Sequence, residues 1–95
     1  MKKTHKASEK DIKKAVVDYL QWKGWFVYNN FQSLGSHKGL SDLTALKNGR
    51  AVWIEVKCPG GKISDHQATF AARVMGHGCE WFCLYSLDDA MEAFK

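Results

Sequence analysis

Two acidic residues, Asp42 and Glu55, lie on segments that otherwise resemble buried strands, and Lys57 follows Glu55 two positions later. A carboxylate on a buried strand face is unfavourable unless it has a partner or binds an ion. Carboxylate oxygens are the ligands that Mg²⁺ and Mn²⁺ prefer, and such cations promote hydrolysis at phosphate. These residue types therefore predict a divalent-metal site that acts on a phosphate ester.

A two-residue turn at Asn48-Gly49 would bring the two acids together. Asn-Gly is a strong hairpin signal, and pairing counted outward from it places Asp42 opposite Glu55. Directly opposed side chains are about 5 Å apart, so two like charges there repel each other unless a cation lies between them. A one-residue bulge would put the acids on opposite faces, so the metal site depends on this register. The alternative is an exposed edge hairpin whose acids face each other without a function.

Hydrophobic spacing and capping signals predict the elements that must position these residues. Ser8 with Asp11, and Ser64 with Gln67, have the spacing of capping boxes at helix starts. The predicted elements are a helix from Ser8 to Gly24, strands at 25–28, 41–47, 50–57 and 80–85, a helix from Ser64 to the Gly76-His77-Gly78 stop, and a short C-terminal helix after Ser86. We therefore expect an α/β fold with an αβββαβ core and a mixed central sheet flanked by helices.

Length and composition are those of one small folded domain, which we expect to span residues 1–95. The chain is 45% hydrophobic, with a net charge of +4 and a pI of about 9.0. That hydrophobic content excludes a disordered chain, and a mild basic excess is only weak evidence for a nucleic-acid partner. The three cysteines form no paired framework, and there is no apolar run near 18 residues and no signal peptide. We expect a cytoplasmic protein without a membrane segment.

Four segments of the chain match one known pattern of residues. They are Glu9 at the start of the first helix, Gly39-Leu40-Ser41-Asp42-Leu43, Ile54-Glu55-Val56-Lys57, and Ile63-Ser64 followed by Gln67. On these residues the chain resembles the virus-type replication-repair nuclease (VRR-NUC) domains of the PD-(D/E)xK superfamily, which have a restriction-endonuclease-like fold. One departure is Ser41, where the family usually has Pro before the acid.

The resemblance implies a role for each matching residue in a metal-dependent active site. Asp42, Glu55 and the backbone carbonyl of Val56 would bind Mg²⁺ or Mn²⁺, and Glu9 would reach the metal directly or through water. Glu9 is equally suited to the helix dipole at a first turn.

Two further matching residues also have a structural alternative. Lys57 would position or deprotonate the attacking water, or it forms a simple salt bridge to Glu55. Gln67 would hold substrate or Lys57, or it only caps its helix.

The implied function is that of a DNA endonuclease of the replication, repair and recombination type, with no small-molecule cofactor. Enzymes of this superfamily usually leave 5′-phosphate and 3′-hydroxyl ends, and stand-alone domains of this kind resemble those of phages. A homodimer would suit cutting of both strands, with Trp22, Trp25 and Trp81 as exposed aromatics to be covered. The residues expected to contact DNA are Lys38, Gly39, Ser41, Lys62 and Arg73.

Two other functions are compatible with part of this pattern. An α-β-β-β-α order also describes double-stranded nucleic-acid-binding modules that cut nothing. The predicted strand at 80–85 and the Ser64-Asp65-His66-Gln67 helix start argue against that module. A degenerate nuclease fold used for assembly is disfavoured because every expected catalytic position is occupied.

Overall fold

The computed structural model describes residues 7–95, so the first six residues of the predicted domain lie outside the description. The predicted order of elements is confirmed. The elements are α1 (Glu9–Trp22), β1 (Phe26–Asn29), β2 (Leu43–Lys47), β3 (Arg50–Val56), α2 (Asp65–Gly76), β4 (Glu80–Leu84) and α3 (Leu87–Ala93).

The Asn48-Gly49 turn sets the register of the central hairpin as predicted. Both turn residues have positive φ, 49° and 81°, as a two-residue turn of this kind requires. Lys47 pairs with Arg50, and the ladder continues without a bulge to the pair Leu43 and Ile54. Asp42 and Glu55 are therefore the next residues along the two strands.

The sheet is mixed and has the order β1-β2-β3-β4. β1 is antiparallel to β2, whereas β4 is parallel to β3 because α2 forms the crossover between them. The parallel fourth strand distinguishes the fold from the α-β-β-β-α binding module. The pairing also places Cys83 of β4 beside Glu55.

One face of the sheet holds the main hydrophobic core. Buried side chains of α1 pack there against the buried positions of β2 and β3, and Trp25 meets Phe94 edge-on with ring centroids 5.1 Å apart. Trp25 is only 6% exposed, so the expectation that it is a surface aromatic is wrong. The core residues contributed by α1, β2 and β3 are Ile12, Val16, Leu20, Leu43, Ala45, Val52, Ile54 and Val56.

The helix caps form as their spacing predicts. Ser8 accepts from the Asp11 backbone N–H at 3.1 Å, and Asp11 accepts in return from the Ser8 N–H. Ser64 and Gln67 make the same reciprocal pair at the start of α2. These caps fix the residues at which both helices begin. They therefore also fix the positions of Glu9 and Gln67, which lie in the first turns of α1 and α2.

The loop between β1 and β2 contacts the first turn of α2 through Gly39. This glycine has φ +77°, and a Cβ built on it would overlap the His66 backbone carbonyl. Glycine alone permits both that backbone conformation and that approach. Within residues 7–95, no helix is long and apolar enough to cross a bilayer.

Gly39→Ala should therefore destabilise the fold, by more than about 2 kcal/mol, because strain and overlap with helix backbone add together. Urea unfolding followed by circular dichroism measures this. Gly35→Ala in the same loop is the matched control, since Gly35 has open space at its Cβ position and should change stability little. Equal unfolding midpoints for the two variants would contradict the proposed contact.

Candidate metal and active site

The hairpin brings Asp42, just before the start of β2, and Glu55, near the end of β3, to one buried point at its open end. Asp42 is 6% exposed and Glu55 is 3% exposed. One oxygen of Asp42, Oδ2, accepts a hydrogen bond from the Val56 backbone N–H at 2.8 Å. This bond explains why β2 begins at Leu43 rather than at the predicted residue 41. The Val56 N–H donates to the Asp42 side chain instead of to a backbone carbonyl of the neighbouring strand, so the ladder stops there.

Glu55 has one satisfied and one unsatisfied oxygen. Oε2 accepts from Gln67 Nε2 at 2.9 Å and lies 3.8 Å from Lys57 Nζ. Within residues 7–95, Oε1 is the one buried side-chain oxygen or nitrogen without a hydrogen-bond partner. An orphaned buried acceptor costs about 1–3 kcal/mol, and more when it is charged.

These oxygens fit a hard divalent cation. Mg²⁺ and Mn²⁺ bind carboxylate and carbonyl oxygens, and a cation at Glu55 Oε1 would relieve both the missing partner and the repulsion from Asp42. Asp42, Glu55 and the Val56 carbonyl remain the expected ligands. Mg²⁺ usually keeps several waters, so two carboxylates are a sufficient protein contribution.

Glu9 lies at the exposed start of α1, and its negative charge contributes to raising the Glu55 pKa. Within residues 7–95, however, no three His, Cys, Asp or Glu side chains form a group able to hold a metal. Contact between Glu9 and a cation, directly or through water, stays a prediction.

Burial and charge both act on the protonation of Glu55. Desolvation, followed by the negative charge of Asp42, raises the pKa of Glu55 to about 7, while Lys57 acts in the opposite direction. A hydrogen bond between the protonated Glu55 carboxyl and Asp42 also raises this pKa, so Oε1 lacks a partner in the ionised form of Glu55. The carboxyl is thus held part-protonated near neutral pH in the absence of a cation. A bound divalent cation favours the ionised form and would reverse that effect.

Lys57 lies beside the two acids, with a side chain that is 19% exposed. Its ammonium is 3.8 Å from Glu55 Oε2, which is long for a hydrogen bond. The predicted salt-bridge contact is therefore present but loose. Its donors remain available for a water or a phosphate oxygen.

Gln67 caps its helix, which is one of the two predicted alternatives, and it also bonds Glu55, which neither alternative included. Its Oε1 accepts from the Ser64 N–H at 2.8 Å and completes the capping box, while its Nε2 donates to Glu55. The helix cap therefore fixes the amide so that its other end faces the carboxylate. Sequence spacing indicates the cap but contains no signal for the second bond.

Ser41 is not a DNA contact, because its side chain is fully buried. Its hydroxyl accepts from Trp81 Nε1 at 3.0 Å, and its carbonyl accepts from Asn30 Nδ2 at 3.0 Å. Asn30 in turn accepts from Thr44 at 2.9 Å. These bonds hold the backbone on either side of Asp42, so Ser41 positions the acid instead of touching substrate.

Trp81 and Asn30 were missed by sequence reasoning. The sequence predicts Trp81 only as an exposed aromatic, whereas its side chain is half-buried and donates a hydrogen bond to Ser41. Nothing in the sequence links positions 40 residues apart, since only the sheet brings β4 close to the β1–β2 loop.

The other expected DNA contacts are distributed around the site. Lys38 lines a groove between the β1–β2 loop and α2, and Lys62 is exposed in the segment before α2. Arg73 is exposed on α2, six residues beyond Gln67, or about 9 Å along the helix axis. Gly39 packs on α2 backbone, so its evident role is structural. Phosphate contact by Lys38, Lys62 and Arg73 stays a prediction.

The fold and this site define a nuclease-type α/β domain, with two acids and a lysine at the end of a central hairpin. The family model of the VRR-NUC domain matches residues 2–88, and the chain belongs to that family. A solved structure described as a VRR_NUC domain superposes with a TM-score of 0.76 at 22% identity, covering 94% of this chain and 100% of that chain. This likeness confirms the fold. No curated protein matches the sequence.

Stability should fall with rising pH because the Glu55 carboxyl must lose its proton in a buried site. The raised pKa means that the folded state holds this proton more tightly than the unfolded state does. Its stabilising effect is present below about pH 4.5 and is lost as pH rises through about 7, a change on the order of 3 kcal/mol. Glu55→Gln should remove this slope, and urea unfolding across pH measures it.

Mg²⁺ or Mn²⁺ should restore the stability of the wild type at pH 8, because a cation held by Asp42 and Glu55 would bind the folded state and not the unfolded chain. Neither ion should raise the melting temperature of Glu55→Gln to the same extent. Asp88→Asn, an exposed acid on α3, is the control and should behave as wild type. An unchanged pH slope in Glu55→Gln would refute the assignment of the titrating group.

Proposed function

We propose that this protein is a Mg²⁺- or Mn²⁺-dependent endonuclease that hydrolyses phosphodiester bonds in DNA. The observation that carries the proposal is the orphaned Oε1 of Glu55, a buried carboxylate beside Asp42 whose other oxygen, Oε2, lies 3.8 Å from Lys57 Nζ. Membership of a nuclease-related family supports the same reaction class. A purely structural role gives no reason to keep two adjacent acids in the interior with one carboxylate oxygen unsatisfied.

The protein residues divide the work of the reaction. A cation bound by Asp42 and Glu55 would supply Lewis-acid stabilisation of the phosphoryl charge and lower the pKa of the attacking water. Lys57 holds that water by hydrogen bonding and places positive charge beside the pentacoordinate phosphorus of the transition state. Asp42 is oriented by the Val56 N–H, and Glu55 by the Gln67 amide, so neither carboxylate must reorganise during the step.

The fold also favours nucleic acid as the substrate. Lys38, Lys62 and Arg73 are exposed, and none of them forms an ion pair among the described residues. Free cations around a metal site suit a polyanion that extends beyond the reacting phosphate. By family resemblance the products carry 5′-phosphate and 3′-hydroxyl ends.

Cleavage of plasmid and branched DNA in Mg²⁺ or Mn²⁺ tests the function directly. Asp42→Asn and Lys57→Met should each reduce the rate at least about a hundredfold, since each removes a group that acts on the reacting phosphate. EDTA should abolish cutting. The control is Asp88→Asn, which should cut normally.

Melting curves decide whether an inactive variant is folded, and both active-site variants replace a side chain with one of similar size. Undiminished cutting by folded Asp42→Asn would refute the mechanism. Tight DNA binding without any cutting by the wild type would instead indicate a binding module.

The homodimer remains a proposal, and the structure offers a surface for it. Phe26 and Tyr28 on the edge strand β1 are 63% and 44% exposed, with ring centroids 5.5 Å apart, and Leu46 pairs with Phe26 across the ladder. Exposed aromatic clusters on an edge strand commonly bind a partner, and a second copy would cover them symmetrically. Two copies would also supply one active site for each DNA strand.

Sedimentation velocity should show a dimer at micromolar concentration for the wild type. Phe26→Ser should convert it to monomer without lowering the melting temperature of the fold, because Phe26 lies outside the core. Met91→Ser, an exposed apolar residue on α3, should remain dimeric. A monomeric wild type would refute the dimer.

A further inference from the structure

A row of lysines follows one side of the first half of α1. Lys10, Lys13 and Lys14 have the spacing i, i+3 and i+4, which places their side chains next to each other on one face of the helix. Lys10 lies in the first turn, where the helix dipole disfavours a cation, whereas the last turn of α1 carries no basic residue. This distribution of charge does not stabilise the helix, so its reason lies outside the helix.

Two of these three lysines have charges that no acid offsets. Lys14 donates to Asp18 at 2.8 Å, so its charge is already compensated within the helix. Lys10 is exposed and Lys13 is half-buried, and neither forms an ion pair with another of the described residues. Their ammonium groups are therefore available to an anion from outside the chain.

The three lysines line a groove of about 490 Å³ between α1 and the end of β1, here called the α1–β1 groove. Val17 continues the lysine face one turn further along the helix, and Asn29, the last residue of β1, lines the groove from the sheet. None of the described residues that line it is acidic. Ammonium groups and an amide around an open groove offer hydrogen-bond donors and positive charge, which suit phosphate oxygens.

The α1–β1 groove lies at the end of the sheet that carries the acid pair. Asn29 pairs with Leu43, which directly follows Asp42. On the helix side, Lys10 directly follows Glu9, whose negative charge helps to raise the pKa of one acid of the pair. The exposed cations described above belong to the β1–β2 loop, to α2 and to the segment before α2. The groove therefore places further positive charge near the acids, on the side of α1.

We propose that the α1–β1 groove binds the sugar–phosphate backbone of DNA a short distance from the scissile phosphate, with Lys10 and Lys13 contacting phosphate oxygens and Asn29 donating its amide. The inference rests on the proposed nuclease function. Phosphate contacts fix the position and direction of a nucleic acid without reading its sequence. DNA held on the α1 side as well as on the α2 side of the acids would present the scissile phosphate in one orientation.

Fluorescence anisotropy with a labelled, fully paired duplex in EDTA tests the contact without cleavage. Lys10→Gln with Lys13→Gln should weaken binding roughly tenfold at about 0.1 M salt. It should also reduce the slope of log affinity against log salt by about 2, since each lost phosphate contact releases about one counterion fewer.

The matched control is Lys23→Gln with Lys95→Gln, which removes the same amount of charge elsewhere. Lys23 follows Lys13 by ten residues, or about 15 Å along the helix axis, and Lys95 is paired with Glu92 on α3. The control should keep the wild-type salt slope, and melting curves verify that both double variants are folded. Wild-type affinity and salt slope in the Lys10 and Lys13 variant would overturn the proposal.

Protection of lysines from acetylation gives a second measurement, made on the wild type alone. With saturating duplex in EDTA, acetylation of Lys10 and Lys13 should slow severalfold, whereas Lys23 and Lys95 should react as in the free protein. Mass spectrometry of the digested protein measures the rate at each lysine. Lys10 and Lys13 that react equally fast with and without bound DNA would also overturn the proposal.

Failure of this proposal is distinguishable from failure of the nuclease proposal. If no metal supports cutting but the Lys10 and Lys13 variant binds DNA more weakly with a reduced salt slope, the groove binds DNA and the catalytic proposal fails. If cutting depends on Asp42 while Lys10 and Lys13 stay unprotected, the catalytic proposal stands and the groove lies outside the DNA-binding surface.

Discussion

The repulsion between Asp42 and Glu55 is the constraint on which the site depends. Both carboxylates are nearly buried at adjacent strand ends, where their charges are poorly solvated. The protein compensates only in part: Asp42 takes a backbone N–H, Glu55 takes the Gln67 amide, and one Glu55 oxygen receives nothing. A protein selected for stability alone would replace such a pair with apolar side chains. Incomplete compensation is what leaves room for a cation.

The rest of the fold can be understood as the means of holding that pair in place. The tight turn sets the register, α1 and α3 cover the opposite face of the sheet, and α2 directs a capping amide towards Glu55. The Trp81–Ser41–Asn30 bonds hold the strand entry rigid where the family usually has proline. Two hydrogen bonds to Ser41 thus restrict the backbone at a position where the ring of a proline would otherwise do so.

The β1–β2 loop that leads into Asp42 is held at its base and open at its tip. Asn30 donates to the Ser41 and Asp42 carbonyls, and Gln32 donates to the Leu40 carbonyl. Leu34 near the tip is fully exposed. The bonds at the base of the loop therefore hold the backbone at Asp42 in place.

Much of this could be predicted from the sequence because its determinants are local. Asn48-Gly49 sets a turn, Ser8 and Ser64 set helix starts, and alternation along the hairpin places Asp42 opposite Glu55. Ser41, Trp25 and Trp81 were misjudged because their surroundings come from distant segments. In the sequence, Ser41 resembles a polar loop residue, and only the fold places the indole of Trp81 on β4 beside it. Trp25 resembles a surface aromatic at the end of a helix, and only the fold places Phe94 against it.

The sequence by itself determined the order of elements, the hairpin register and the identity of the acids and the lysine, because each follows from neighbouring residues. Only the tertiary structure decided which Glu55 oxygen lacks a partner, that Gln67 both caps α2 and contacts Glu55, and that Ser41 is bonded to Trp81. Those features depend on distances between segments far apart in the chain, and such distances are set by packing of the whole core.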